Sequence, residues 1–341
     1  MSQFKVFVTR RLPVDFTALE QIATVEVWQE RQPPPYEVLL EQVKQVDGLL
    51  CLLTDPIDRP LIEAATTLKV ISQMAVGYDN IDILAATARK ILVGHTPGVL
   101  TDATADLTWA LIMAAARRVV EGDRFTRSGQ WTTWEPDLLL GPNITGATLG
   151  ILGLGRIGQA VAQRARGFAM RVIYHSRHRC PPDLEQSLGI EYSSFAHLLQ
   201  VSDFITIHTP LSEDTHHLFS DAQFEQMKSS AILINTARGA IVDPDALYRA
   251  LSRGQIARAA LDVTEPEPIP MESPLLTLDN LIITPHIGSA SVQTRRKMAE
   301  MAIANLIAGL NNQVLPNCVN PAVYSWEQGT GDGLQGSSTT F

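Results

Sequence analysis

Residues Thr148-Leu-Gly-Ile-Leu-Gly153-Leu-Gly155-Arg156-Ile157-Gly158 set a short apolar run directly against three glycines spaced G-x-G-x-x-G. A chain that must leave a strand through a tight glycine turn and re-enter as a helix is compatible with few folds. In such a unit the first glycine makes the turn. The second lets a charged group approach the backbone, and the third lets the helix close on the strand. The helix that follows, 157 to about 168, offers its first amides and the positive end of its dipole to that group, which for this spacing is a pyrophosphate. A second strand at 171–175 completes a β-α-β order. The unit sits near the middle of the chain, so another body of structure precedes it.

The first hundred residues carry that other body. Strand-like runs at 4–9, 24–28, 48–53, 69–74 and 91–94 alternate with helical patterning at 13–22, 36–46 and 61–65. This alternation predicts a parallel sheet covered on both faces. A long Ala-rich helix is expected over 102–120, then, beyond the glycine unit, strands at 204–209, 231–235, 257–263 and 281–284. A helix at 244–251 follows a plausible N-cap, Asp243, and another long helix runs from about 292 to 310. The expected fold is α/β, with two doubly wound parallel-sheet domains, Rossmann-like and flavodoxin-like. A dinucleotide-binding domain of 101–287 is inserted into a discontinuous substrate domain of 1–100 plus 288–326, with a cleft between lobes for a small substrate. The Gly-, Ser- and Thr-rich end, 327–341, is expected to be disordered.

Composition narrows the partners. With 341 residues, 45% hydrophobic and 18% charged, the chain reads as a soluble protein of two ordinary domains. A net charge of −9 and a pI near 5.4 argue against general affinity for nucleic acid or an anionic membrane. Cys51, Cys180 and Cys318 lie far apart without metal-ligand spacing, and read as thiols in a reducing compartment. No run approaches transmembrane length and the start has no signal-peptide layout, so the expected location is the cytoplasm. His208, His216 and His217 have no helical metal spacing or carboxylate partner pattern. They are expected to be loop residues near the cofactor, and no metal is expected.

The second strand of such a unit normally ends in Asp or Glu, which binds the ribose 2′-hydroxyl of NAD and repels a 2′-phosphate. Here the position is His175, followed by Ser176-Arg177-His178-Arg179. A hydroxyl and two guanidinium groups suit a phosphate monoester. NADP(H) is therefore the expected cofactor, with NAD(H) also admitted.

Three further segments each place ionisable residues just after a predicted strand: Asn235-Thr-Ala-Arg238-Gly-Ala-Ile-Val-Asp243, Leu261-Asp-Val-Thr-Glu265-Pro-Glu267-Pro268 and Thr284-Pro-His286-Ile-Gly288-Ser-Ala. In a doubly wound sheet these fall at the carboxyl edge, where ligands bind. At this point the chain resembles the D-isomer-specific 2-hydroxyacid dehydrogenase family over about residues 1–320, and within it the glyoxylate/hydroxypyruvate reductase branch. Besides those segments, the stretches that carry the resemblance are Val76-Gly-Tyr-Asp-Asn80, His95-Thr-Pro-Gly-Val-Leu-Thr-Asp102 and Trp131-Thr-Thr-Trp134-Glu-Pro. Arg238, Glu267 and His286, 29 and 19 residues apart in turn, match the family's Arg-Glu-His triad, with Glu265 the rival for the acid.

The resemblance implies reduction of a 2-oxo acid. His286 as imidazolium would give the proton, Glu267 would favour that charged form, and Arg238 would bind carboxylate and carbonyl oxygen together. Backbone amides of Val76 and Gly77 would hold the substrate carboxylate. Trp134 would reach the active site of the partner subunit or serve as an ordinary dimer-interface aromatic, and the Trp131–Pro136 segment makes a homodimer the expected assembly. Cofactor contacts implied likewise are Thr104, Gly153, Gly155, Arg156, Ile157, Gly158, Ser176, Arg177, Arg179, Thr209, Pro210, Thr215, Thr236, Ala237, Asp262, His286 and Gly288. The expected reaction is NADPH-dependent reduction of glyoxylate and hydroxypyruvate to glycolate and D-glycerate. Phosphite dehydrogenases of the family carry Lys where this chain has Val76, which weakens that alternative. Phosphoglycerate dehydrogenase is disfavoured because the chain leaves no room for a regulatory domain after the return helix. A dinucleotide-sensing corepressor would keep the triad, but no long interaction tail or basic arm supports one.

Overall fold

Apolar runs of three to five residues, each punctuated by Gly, Pro, Asp or Asn, become the strands of two all-parallel sheets. The computed structural model describes residues 4–325, so the tail expected at 327–341 lies outside the described residues. Two compact units result: residues up to 99 with those from 291 onward, and residues 100–290.

The first unit holds β1 (Phe4–Val8), β2 (Ala23–Val27), β3 (Gly48–Cys51), β4 (Val70–Gln73) and β5 (Leu92–Gly94), in the order β2-β1-β3-β4-β5. That is the flavodoxin-like order, with its switch point at β1 and β3. Val6 to Val8 lie opposite Gly48 to Leu50 in register. β3 and β4 are buried along their whole length, as a sheet covered on both faces requires. One cover is the helix Val292–Leu310, which packs on β3, β4 and β5. Ser72 Oγ donates to the Ala302 carbonyl at 2.8 Å, tying sheet to helix.

The second unit holds β6 (Thr148–Leu152), β7 (Arg171–His175), β8 (Ile190–Tyr192), β9 (Phe204–Ile207), β10 (Ile232–Asn235), β11 (Arg258–Leu261) and β12 (Leu281–Ile283). Their order is β12-β11-β10-β9-β6-β7-β8, the Rossmann order extended by one edge strand. Side chains alternate between two cores. Ile205, Ile207 and Leu233 join Leu247 and Phe219 on one face, while Phe204, Ile232 and Ile234 join Ile151 and Val161 on the other. Each such fully buried side chain contributes about 1.5–3 kcal/mol. The helix Thr101–Ala116 covers the second face, where the Trp109 indole donates to the Val161 carbonyl at 3.1 Å and its ring stacks on Phe168.

Several boundaries differ from the sequence expectation. The helix expected over 102–120 stops at Ala116, because Arg118 takes a left-handed φ of 53° and a new helix, Val119–Arg127, starts after it. The helix expected at 13–22 shrinks to the single turn Thr17–Glu20, and that at 36–46 ends at Val43. Three short helices, Ile83–Ala88, Pro182–Leu188 and Phe195–Val201, carry too few turns to show a period, although Asp82 and Ser194 cap two of them. Asp243 does cap its helix, Pro244–Ser252, accepting from the amides of Asp245 and Ala246. No helix among the described residues is long and apolar enough to cross a membrane.

Candidate active site

The glycine turn after β6 is sterically determined. Gly153 has φ +92°, and a Cβ there would lie 2.7 Å from the backbone of His208. A Cβ on Gly158 would lie 2.2 Å from the Gly153 carbonyl, so only glycine lets the helix Arg156–Ala165 start against the turn. A Cβ on Gly155, by contrast, would meet nothing within 4 Å. Backbone is therefore laid open at the switch point between β6 and β9, at a helix N-terminus, and this cradle fits a dinucleotide pyrophosphate. Arg156 and Ile157 open that helix. Across the turn, His208 has a buried Nε2 with no partner among the described residues, and burial drives its pKa down to about 3, so the ring is neutral. Thr209 and Pro210 follow. Thr215 folds their loop back, its hydroxyl donating to the Pro210 carbonyl at 2.8 Å while accepting from the Ser212 amide.

The loop after β7 divides its two arginines. His175, where an acid would sit, turns its Nδ1 to the Ser193 carbonyl at 2.9 Å. Arg179 forms a bidentate pair with Glu185, at 2.8 and 2.7 Å, so its guanidinium is already committed. Tyr174 donates to the same carboxylate at 2.7 Å. Arg179 first and Tyr174 second hold the Glu185 carboxyl down to about 2. A carboxylate thus lies against the loop after all, contributed by the following helix rather than by the strand end. Ser176 Oγ donates to the His178 carbonyl at 2.6 Å, so the expected hydroxyl is already engaged within the loop. Among the described residues Arg177 has no such partner and is exposed.

Loops after β10, β11 and β12 carry the titratable constellation, all within the second unit. Buried Asn235 ends β10 and shapes the next turn. Its Oδ1 accepts from the Ala237 amide at 3.0 Å and its Nδ2 donates to the Arg238 carbonyl at 2.8 Å. Thr236 in the same turn is hydroxyl-bonded to Thr108 of the Ala-rich helix, one turn beyond Thr104. Arg238 directs Nη1 to the Ala237 carbonyl at 2.8 Å. After β11, Glu267 Oε1 lies 2.6 Å from His286 Nδ1, with both side chains half-buried.

His286 is held by the backbone rather than by side-chain packing. It has a left-handed φ of 53°, and its amide donates to the Asp262 and Thr284 carbonyls. Asp262, 1% exposed, braces this turn from below: its carboxylate accepts from Thr284 Oγ1 at 2.6 Å, the Ile287 amide at 2.8 Å and the Gly288 amide at 2.7 Å. The family pattern implied a cofactor contact for Asp262. The structure gives its oxygens to the turn that bears His286. The bracing roles of Asp262 and Asn235 went unread, although polar residues at the ends of apolar strands were the available signal.

Glu265 has different company from Glu267. It lies 2.6 Å from His217 Nε2 and 3.7 Å from His216 Nε2. The pair of histidines therefore does have a carboxylate partner, 48 residues away in sequence, contrary to the sequence expectation.

In the first unit, Val76 and Gly77 sit in the loop after β4. The Val76 carbonyl meets His95 Nδ1 at 3.0 Å, and the Gly77 carbonyl accepts from Gln73 at 3.3 Å. Their carbonyls are thus engaged from below, and no described residue accepts from their amides, which suits capture of a carboxylate. Trp134 is 78% exposed, in a stretch without helix or strand.

Comparison with known proteins agrees with this organisation. A family model described as D-isomer specific 2-hydroxyacid dehydrogenase, NAD binding domain, matches residues 109–288. A glyoxylate reductase of Thermococcus litoralis is 51% identical over 324 residues, covering 94% of this chain and 97% of the relative. A solved protein of Thermus thermophilus superposes with a TM-score of 0.87 at 48% identity, covering 92% of this chain and 99% of that one. An NADPH-dependent glyoxylate/hydroxypyruvate reductase of Sinorhizobium meliloti, solved with NADP and malonate, superposes at 0.82 with 30% identity, covering 93% and 97%. Its two parallel sheets, its glycine cradle and these similarities agree: the chain belongs to the D-isomer-specific 2-hydroxyacid dehydrogenases and is an NAD(P)-dependent oxidoreductase.

Proposed function

We propose that this protein reduces glyoxylate and hydroxypyruvate to glycolate and D-glycerate, preferring NADPH to NADH. The observation that carries the reading is the 2.6 Å contact between His286 Nδ1 and Glu267 Oε1, on the same sheet edge as the Arg238 turn and the glycine cradle. The glyoxylate reductase named at 51% identity supports the substrate class.

The reduced nicotinamide, when bound, supplies the hydride that adds to C2 of the 2-oxo acid. The chain's own residues do the rest. Arg238 binds the substrate carboxylate and carbonyl oxygen and stabilises the negative charge that develops on that oxygen. With Glu267 ionised, Nδ1 of His286 carries a proton toward it, so Nε2 is the nitrogen that donates to the alkoxide. The smaller unit, which bears the Val76 and Gly77 amides, we assign as the substrate domain. Residues 101–287 then form the cofactor domain. Arg177 takes the 2′-phosphate, a preference consistent with the NADPH-dependent relative. Two chains form a homodimer in which the exposed Trp134 serves the neighbouring site. A reductase of this kind works where reduced nicotinamide is supplied, and we place it in the cytoplasm on that ground.

A steady-state panel of glyoxylate, hydroxypyruvate, pyruvate and phosphite against NADPH and NADH tests the reading. Highest kcat/KM for the first two with NADPH is expected. Phosphite oxidation as the dominant activity would overturn the substrate assignment. Tight NADPH binding without turnover on any 2-oxo acid would instead mark a dinucleotide sensor.

A further inference from the structure

We propose that His216, His217 and Glu265 form a binding site for one divalent transition-metal ion, with zinc as the reference ion. Three ligand atoms, one from each residue, lie within 4.8 Å of one another. The imidazoles stack with centroids 3.9 Å apart and planes inclined by 25°, so both rings present Nε2 toward the same carboxylate.

A proton does not satisfy this arrangement. At 2.6 Å it bridges His217 to Glu265, but His216 at 3.7 Å is beyond hydrogen-bond reach of that carboxylate. A dication accepts all three donors at once. Two imidazoles and a carboxylate are a ligand set zinc uses where a fourth position stays open to water. Ligands on one zinc at about 2.0–2.2 Å stand about 3.3 Å apart, so side-chain rotations on the order of 1 Å close the set.

The backbone beneath the site is fixed, which lowers the ordering needed for binding. The His216 amide donates to the Ser212 carbonyl at 2.9 Å and the His217 amide to the Ala240 carbonyl at 2.8 Å. His217 is kept at a left-handed φ of 49°, a region disfavoured for a residue with a Cβ. Fully buried Phe219 anchors the segment two residues later. On the opposite side, Gly239 touches the Glu265 loop so closely that a Cβ would lie 2.0 Å from the Thr264 carbonyl. The site therefore spans the loop after β9 and the loop after β11, and an ion in it would clasp them together. This inference does not rest on the substrate or cofactor assigned above.

Isothermal titration of untagged, chelator-treated full chain with ZnCl2 tests the proposal, together with the visible spectrum of the Co2+-loaded protein. One ion per chain is expected, with a four-coordinate Co2+ spectrum. His216→Ala and Glu265→Gln should each weaken binding at least as much as loss of an outer-shell partner does, about 10–100-fold. His216 is 51% exposed, so its replacement reads the site even if Glu265→Gln fails to fold. Absence of stoichiometric binding would overturn the proposal, as would equal affinity in the wild type and His216→Ala.

Discussion

Replacing Asp262 with Ala tests whether the His286 turn is held from beneath. Three bonds to one buried carboxylate are lost, at 2.6, 2.8 and 2.7 Å. The Thr284 hydroxyl has a second acceptor within reach, the Leu261 carbonyl at 3.5 Å, so it finds a substitute. The Ile287 and Gly288 amides have no second acceptor among the described residues, and an unsatisfied donor costs about 1–3 kcal/mol when buried, as the Gly288 amide is. Water entering the truncated space recovers part of this, leaving an expected destabilisation of about 2–4 kcal/mol. Asp262→Asn keeps one accepting oxygen and should lose about half as much. Activity should fall further than stability suggests, since a misplacement of about 1 Å at a catalytic group costs about 10²-fold in rate. Urea unfolding with glyoxylate turnover on the folded fraction measures both. If Asp262→Ala shifts stability by less than about 0.5 kcal/mol, the level of an ordinary surface change, and keeps wild-type kcat, the bracing argument fails.

Other consequences are equally concrete. Gly155→Ala, which meets no protein atom, should leave stability unchanged and raise KM for either nicotinamide cofactor, whereas Gly158→Ala should lower thermal stability before any kinetic effect; identical behaviour of the two would refute the cradle. Arg177→Ala should raise KM for NADPH about tenfold or more, the loss of one charged hydrogen-bond pair, and leave NADH nearly untouched. Arg238→Ala should remove most activity, with Arg238→Lys retaining a part of it through charge without the bidentate fork, and a fully active Ala variant would contradict the substrate clamp. Glu185 supplies a pH test: its folded-state carboxyl is held below the ordinary 4.5, near 2, so its stabilisation is present above about pH 4.5 and disappears as pH falls toward 2. The gap in unfolding midpoint between wild type and Glu185→Gln should be constant at neutral pH and close across that window; a pH-independent gap would show that the charge contributes nothing.

What could be read from the chain, and what could not, follows from the distance over which each signal acts. β7 and the helix Val292–Leu310 were legible to the residue because a continuous apolar run or a long period carries its own boundaries. The glycine cradle was legible because each glycine answers a local steric demand. The break at Arg118 was not, since Arg-Arg-Val-Val continues a helical composition and only tertiary packing forces the left-handed turn. Arg179 was read as a phosphate ligand because its partner, Glu185, enters from the next helix and lies outside the motif. Asp262 and Glu265 sit in a stretch whose pattern points to chemistry, yet their oxygens are spent on a turn and on two histidines. A linear motif identifies which residues gather at a site; it does not say which of them serve one another.

The unequal fates of Arg177 and Arg179 reach beyond this molecule. With one arginine neutralised from within and the other clear of a partner, the proposed discrimination between the two nicotinamide currencies would rest on a single long side chain outside the acid–base pair. A lineage could then change its source of reducing power through one codon, leaving the carbon chemistry undisturbed.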